Sequence, residues 1–120
     1  MLEPPTYAVA LLQDLHFGAD LIEYLRRIDA TLDPYGGRFL VHQPGPTLVE
    51  GELSGRTALI VIAFPDRRSA TQWYDSPAYQ EILPLRTGNS RAFALLADGV
   101  PEHYRAAEGL AEMLARRPVT

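Results

Sequence analysis

The side chains of this chain that can do chemistry are three histidines, six tyrosines, one tryptophan and eleven arginines; cysteine and lysine are absent. That inventory removes thiolate nucleophiles, disulfides and Cys-ligated metal sites, and with lysine gone it removes Schiff-base chemistry. His16 and His42 are the candidates for proton transfer, because an imidazole titrates near neutral pH. His103 falls in the C-terminal segment and is expected to face solvent. No G-x-S-x-G elbow, H-E-x-x-H pair, Walker pattern or G-x-G-x-x-G loop is present, so no metal or nucleotide cofactor is expected. Catalytic roles for His42 and His16 therefore stand beside a plain structural reading of both.

Three further groups carry polar or aromatic function. Arg38 follows a glycine pair and, in a regular strand, shares a face with Leu40 and His42. It could hold an organic anion or pair with a carboxylate. Trp73, Tyr74 and Tyr79 form an aromatic cluster that could stack on a flat ligand or fill the core, with Tyr74 the better candidate for donating to a carbonyl or enolate. Arg86, Asn89, Ser90 and Arg91 read as a polar loop where Arg86 and Ser90 could bind a carboxylate or tie the loop to the sheet.

The elements that must position these groups follow from local pattern. Thr6 to Leu12 is a short apolar run after two prolines, read as a buried strand. Leu21, Leu25, Ile28 and Leu32 make one stripe of a helix from Ala19 to Leu32, ended by Asp33-Pro34-Tyr35-Gly36-Gly37. A second strand, Arg38 to His42, is interrupted at Gln43-Pro44-Gly45-Pro46 and expected to resume over Thr47 to Leu53 as an edge. Thr57 to Phe64 is apolar on both faces and must be central. Asp66 caps a helix carrying Ala70, Trp73 and Tyr74. Ser76-Pro77 restarts it to about Leu83, where Pro84 is expected to limit it. Arg91 to Ala97 is the fourth strand, and a last helix is expected over Pro101 to Arg117 with Tyr104, Ala107, Ala111 and Leu114 at i, i+3, i+7 and i+10.

The order β-α-β-β-α-β with a tail helix is the ferredoxin-like α+β plan. Residues 1 to 100 form that domain and residues 101 to 120 a helical extension of it. Two helices cover one sheet face, yet the first and third strands are apolar on both. The bare face needs a cover: either the C-terminal helix or, preferred, a second sheet in a dimeric α+β barrel. A homodimer through the sheet face is therefore expected.

Several clusters in order, Tyr35-Gly36-Gly37-Arg38-Phe39-Leu40-Val41, Leu48-Val49-Glu50-Gly51, Phe64-Pro65 with Trp73-Tyr74 and Ser76-Pro77, and Pro84-Leu85-Arg86 with Ser90, resemble the domain-of-unknown-function 1330 family. The likeness spans about Tyr7 to Val100. It implies a small bacterial protein of the dimeric α/β-barrel superfamily, with ferredoxin-like fold and dimerisation but no assigned chemistry. That superfamily includes cofactor-free monooxygenases, muconolactone isomerase-like enzymes, haem-dependent enzymes and stress-related proteins, and a shared fold does not choose among them.

A net charge of -4 argues against nucleic acid or an anionic membrane as main partner. The opening Met1 to Pro5, with an acid and two prolines, lacks the pattern of a signal peptide, so a cytoplasmic location is expected. The functional expectation is a small cleft for an organic anion or aromatic ligand, with cofactor-free proton transfer or oxygenation on a carbonyl or carboxylate compound. Arg38 or Arg86 would hold the anionic end, Tyr74 would donate, and His42 or His16 would move the proton. The alternative is a non-catalytic dimeric module that binds a ligand or partner.

Overall fold

A computed structural model describes residues 4–116. The chain folds as β1 (Thr6–Gln13), α1 (Ala19–Leu32), a 3-10 turn (Asp33–Tyr35), β2 (Arg38–Pro44), β3 (Ala58–Phe64), α2 (Arg67–Asp75), α3 (Pro77–Thr87), β4 (Arg91–Asp98) and α4 (Ala106–Arg116). The strands form one antiparallel sheet in the order β2-β3-β1-β4, the ferredoxin-like arrangement.

Register decides which side chains meet the helices. Thr6, Ala8, Ala10 and Leu12 of β1 lie opposite Phe64, Ile62, Ile60 and Ala58 of β3. Because side chains alternate along a strand, this even-numbered set shares one face, and it packs under the helices with Leu21, Ile28, Leu32, Ala70 and Ile82. Val9, Leu11, Leu59 and Val61 occupy the other face and are only half-buried. Phe93 and Leu95 of β4 continue that face at 53% and 47% exposure.

Local chemistry explains the helix boundaries. Gly36 takes a left-handed φ of 71° after the 3-10 turn, a conformation glycine adopts freely. Gly37 has another reason to be glycine: a Cβ there would come within 2.7 Å of Phe64 and 2.8 Å of Leu32. At the α2–α3 break the buried Ser76 works in both directions. Its hydroxyl donates to the Trp73 carbonyl at 2.7 Å and accepts from the Tyr79 amide at 3.2 Å, ending one helix and capping the next ahead of Pro77. Asp66 accepts from the Ser69 amide at the start of α2, which holds its carboxyl below the usual range. Asp98, bonded to Thr6 and to Arg67, is lowered in the same way.

Four expectations need correction. The strand expected to resume over Thr47 to Leu53 is irregular chain: Gly45, Gly51 and Gly55 all take positive φ, and the Gly45 amide closes the excursion on the Thr57 carbonyl at 2.8 Å. Pro84 does not end α3, which continues to Thr87 around it, so Arg86 is helical and not in a loop. A register shift between Phe39 and Val41 breaks the expected alternation of β2: Arg38 lies opposite Ala63 on the outer face, whereas His42 lies opposite Ile60 on the helix face. The last helix begins at Ala106 and not Pro101, because His103 takes a φ of 65° that no right-handed helix contains. Every α4 residue except Gly109 is exposed, so this helix does not cover the sheet; the expected end at Arg117 lies outside the described residues.

The two-sided role of Ser76 generates a stability prediction. Ser76→Ala should lower the unfolding free energy by about 1 kcal/mol, and up to about 2 kcal/mol, as loss of an N-cap does. Urea denaturation of the two proteins measures it.

Candidate functional site

The helices do not fill all the space above the sheet. Alanine at positions 8, 10 and 94 leaves the floor shallow, and a cavity of about 350 Å³ opens between the sheet and the α2–α3 segment near β4. Ile60, Ile62 and Leu96 complete an apolar floor. Trp73, Tyr74 and Tyr79 form the roof, and the size falls within the range of small-molecule sites.

Each roof residue is held differently. The Trp73 indole donates from Nε1 to the Thr31 hydroxyl at 3.0 Å, and that hydroxyl donates to the Ile28 carbonyl at 2.7 Å. Trp73 is therefore a fixed wall, its ring 4.1 Å from that of Tyr79 between centroids. Tyr74 packs beside Tyr79 at 5.6 Å but remains 37% exposed. Its phenol stands among the lining groups as one of the most accessible.

The polar end is buried. Tyr24 of α1 and Tyr79 of α3 bring their hydroxyl oxygens to 2.8 Å from one another. Arg86, only 5% exposed, sits beside both phenols and lines the same cavity. Burial and the neighbouring Tyr79 push the Tyr24 phenol well above its ordinary value, so it stays protonated at neutral pH. Burial acts to lower the Arg86 pKa, but Tyr79 and Tyr24 outweigh it and the net direction is upward; the guanidinium stays charged.

Of the residues singled out from sequence, Trp73, Tyr74, Tyr79 and Arg86 come together at this cavity. His16, His42, Arg38 and Ser90 are not among its lining groups. His42 stacks on Phe39 at 5.1 Å on the edge strand β2, with β3 and β1 between it and β4. His16 is exposed in the turn after β1 and leans over Gly18. Arg38 is exposed on the outer face. Ser90 donates to the Arg86 carbonyl at 3.0 Å, tying the end of α3 to the start of β4. Among the described residues no group of three or more metal-ligating side chains is gathered.

Tyr24 escaped sequence reading. Its signal was present: it falls three residues after Leu21 and four before Ile28, on the buried stripe of α1. Likewise Tyr79, Ile82 and Arg86 fall at i, i+3 and i+7, one face of a helix that runs through Pro84.

Comparison with known proteins bears on the fold. The family model described as a domain of unknown function (DUF1330) matches residues 5–100. No curated protein matches the chain significantly. Among solved structures, a protein of unknown function from Rhodopseudomonas palustris has a TM-score of 0.65 at 13% identity, with 82% of this chain and 85% of that one covered. SnoaB, a cofactor-independent oxygenase from Streptomyces nogalater, has a TM-score of 0.59 at 12% identity, covering 85% of this chain and 99% of its own. A dimeric ferredoxin-like protein of unknown function from Jannaschia sp. CCS1 has a TM-score of 0.59 at 10% identity, covering 78% and 99%. At such identities the likeness is one of fold.

The hydroxyl pair at the buried end supplies a test. Tyr79→Phe leaves the Tyr24 hydroxyl without the partner it has at 2.8 Å. It should cost about 0.5–1.5 kcal/mol, the net worth of one hydrogen bond, because Arg86 still lies beside the Tyr24 hydroxyl. An unchanged denaturation midpoint would show that the pair contributes nothing to the fold.

Proposed function

We propose that the chain, which belongs to the DUF1330 family, is a homodimeric protein that takes a small, flat, oxygen-bearing compound into the cavity under α2 and α3 and carries out cofactor-free proton transfer or oxygenation on it. The observation that carries the reading is the cavity's polarity: aromatic and aliphatic along its length, with its buried polar groups gathered at Tyr24, Tyr79 and Arg86. Such a site orients a ligand by its one polar end while apolar walls bury the rest. Trp73 and Tyr79 offer ring faces to a planar compound, and Tyr74 offers a phenol to a carbonyl or enolate oxygen. With both His16 and His42 away from this cavity, Tyr74 is the residue proposed to handle a proton there. The shared fold with a cofactor-independent oxygenase supports chemistry without a cofactor by analogy only.

Dimerisation through the outer sheet face is the second half of the proposal. It is supported by the exposed apolar side chains of that face, and by the dimeric state of a protein with the same fold. α4 leaves that face uncovered.

A second reading, a partner-binding module, is favoured by one observation. α4 presents Leu110, Met113 and Leu114 to solvent, at i, i+3 and i+4. Among the described residues no helix is long and apolar enough to cross a membrane.

Native mass spectrometry should give a dimer, and thermal-shift screening against aromatic and keto-acid compounds should find at least one that raises Tm. Val61→Glu, on the outer face opposite Val9 and Val41, should give a folded monomer. A wild-type monomer would remove the dimer, and a library without a single hit would remove the cleft. Deleting residues 101–120 should leave dimer and ligand response intact; loss of a bound partner alone would favour the module reading.

A further inference from the structure

Arg86 is the one buried cation of the described core, and its surroundings do not neutralise it. Among the described residues no carboxylate comes within 4.0 Å of its guanidinium, although Arg27, Arg67, Arg91 and Arg116 each have such a partner. The titratable groups that act on its charge are two phenols, Tyr24 and Tyr79, which line the same cavity. These can accept hydrogen bonds but carry no charge, and the Tyr24 phenol is held protonated by burial, which removes it as a phenolate counter-ion. Asp75, at the end of α2, is the carboxylate that lines the cavity, and it is exposed and unpaired with Arg86. The other charged group of α3, Glu81, is paired with Arg27 and does not line the cavity.

A cation taken out of water without an opposite charge is costly, and a fold that keeps one at the buried end of an apolar cavity is complete only when an anion enters. We infer that the cavity is selective for organic anions, a one- or two-ring aromatic carboxylate, whose charged group pairs with Arg86 while its ring lies between Trp73, Tyr79 and the alanine floor. This rests on the cleft reading above and names its ligand class. The planar guanidinium suits a carboxylate because two parallel N–H donors match its two oxygens. Tyr24 and Tyr79, joined by one hydrogen bond between their hydroxyls, flank Arg86 and position it, and the hydroxyl that accepts in that bond keeps its own proton to donate to the ligand.

The consequence is a trade between stability and binding that a purely structural arginine does not show. Benzoate and indole-3-acetate, compared with benzamide and indole-3-acetamide, separate charge from shape. Isothermal titration of the full-length protein should show the acids binding about ten- to a hundredfold more tightly than the amides, the worth of a charge-assisted hydrogen bond. Arg86→Met should lose that preference while its ligand-free Tm stays the same or rises, since an uncompensated charge has been replaced by an apolar chain. Arg86→Lys should keep the preference for the acids with weaker binding, and it serves if the methionine variant does not fold. Amides binding as well as acids would overturn the anion assignment and leave the cleft standing. If neither series binds, the cleft itself falls. A ligand-free Arg86→Met protein that is folded but has a markedly lower Tm would make Arg86 a structural residue and overturn the inference.

Discussion

The pairing of β1 with β3 is the constraint on which the rest depends. Setting Ala8 opposite Ile62 and Ala10 opposite Ile60 sends one set of side chains toward the helices and the other toward the open face. A one-residue slip would invert both surfaces at once, which would bury Tyr7 and Gln13 and expose Leu12. The same register places small residues where β1 and β4 pass under α2 and α3. The cavity is thus a consequence of alanines in the strands and not of any distortion of the helices.

The roof depends on the short break between α2 and α3. Ser76, in extended conformation, satisfies one carbonyl and one amide at the junction, so α2 ends and α3 begins with both groups paired. Trp73 and Tyr79, on separate helices, have ring centroids 4.1 Å apart. Trp73 is then anchored to α1 through Thr31, and Tyr79 through Tyr24. The aromatic cluster belongs to the core and also lines the cavity. The choice offered by the sequence between the two roles has no single answer.

Arg86 shows how burial changes what a residue means. On a surface, an arginine without a carboxylate partner is unremarkable, because water screens it. Enclosed beside two phenols, the same group is the buried charge of the cavity, and less water is there to screen it. The contrast with Arg38 is instructive, since both look alike as anion-binding candidates in the linear chain. A register shift in β2 turns Arg38 to the outer face, whereas an unbroken α3 carries Arg86 inward.

The order and type of the elements were legible in sequence because they follow from periodicity and from punctuation by Gly, Pro, Ser and Asp, all of them local properties. The stripe of α1, the apolar β3, the capping at Ser76 and the need to cover a second sheet face belong to that class. Ferredoxin-like topology followed, and so did the clustering of Trp73, Tyr74 and Tyr79. Tertiary structure decided where side chains converge. The bulge at β2 separated Arg38 from His42, tolerance of Pro84 within α3 delivered Arg86 to the interior, and Tyr24 met Tyr79 across 55 residues of sequence. None of these is local: each depends on how segments far apart in sequence pack against one another. Short-range pattern cannot weigh that competition, and long-range packing settles it.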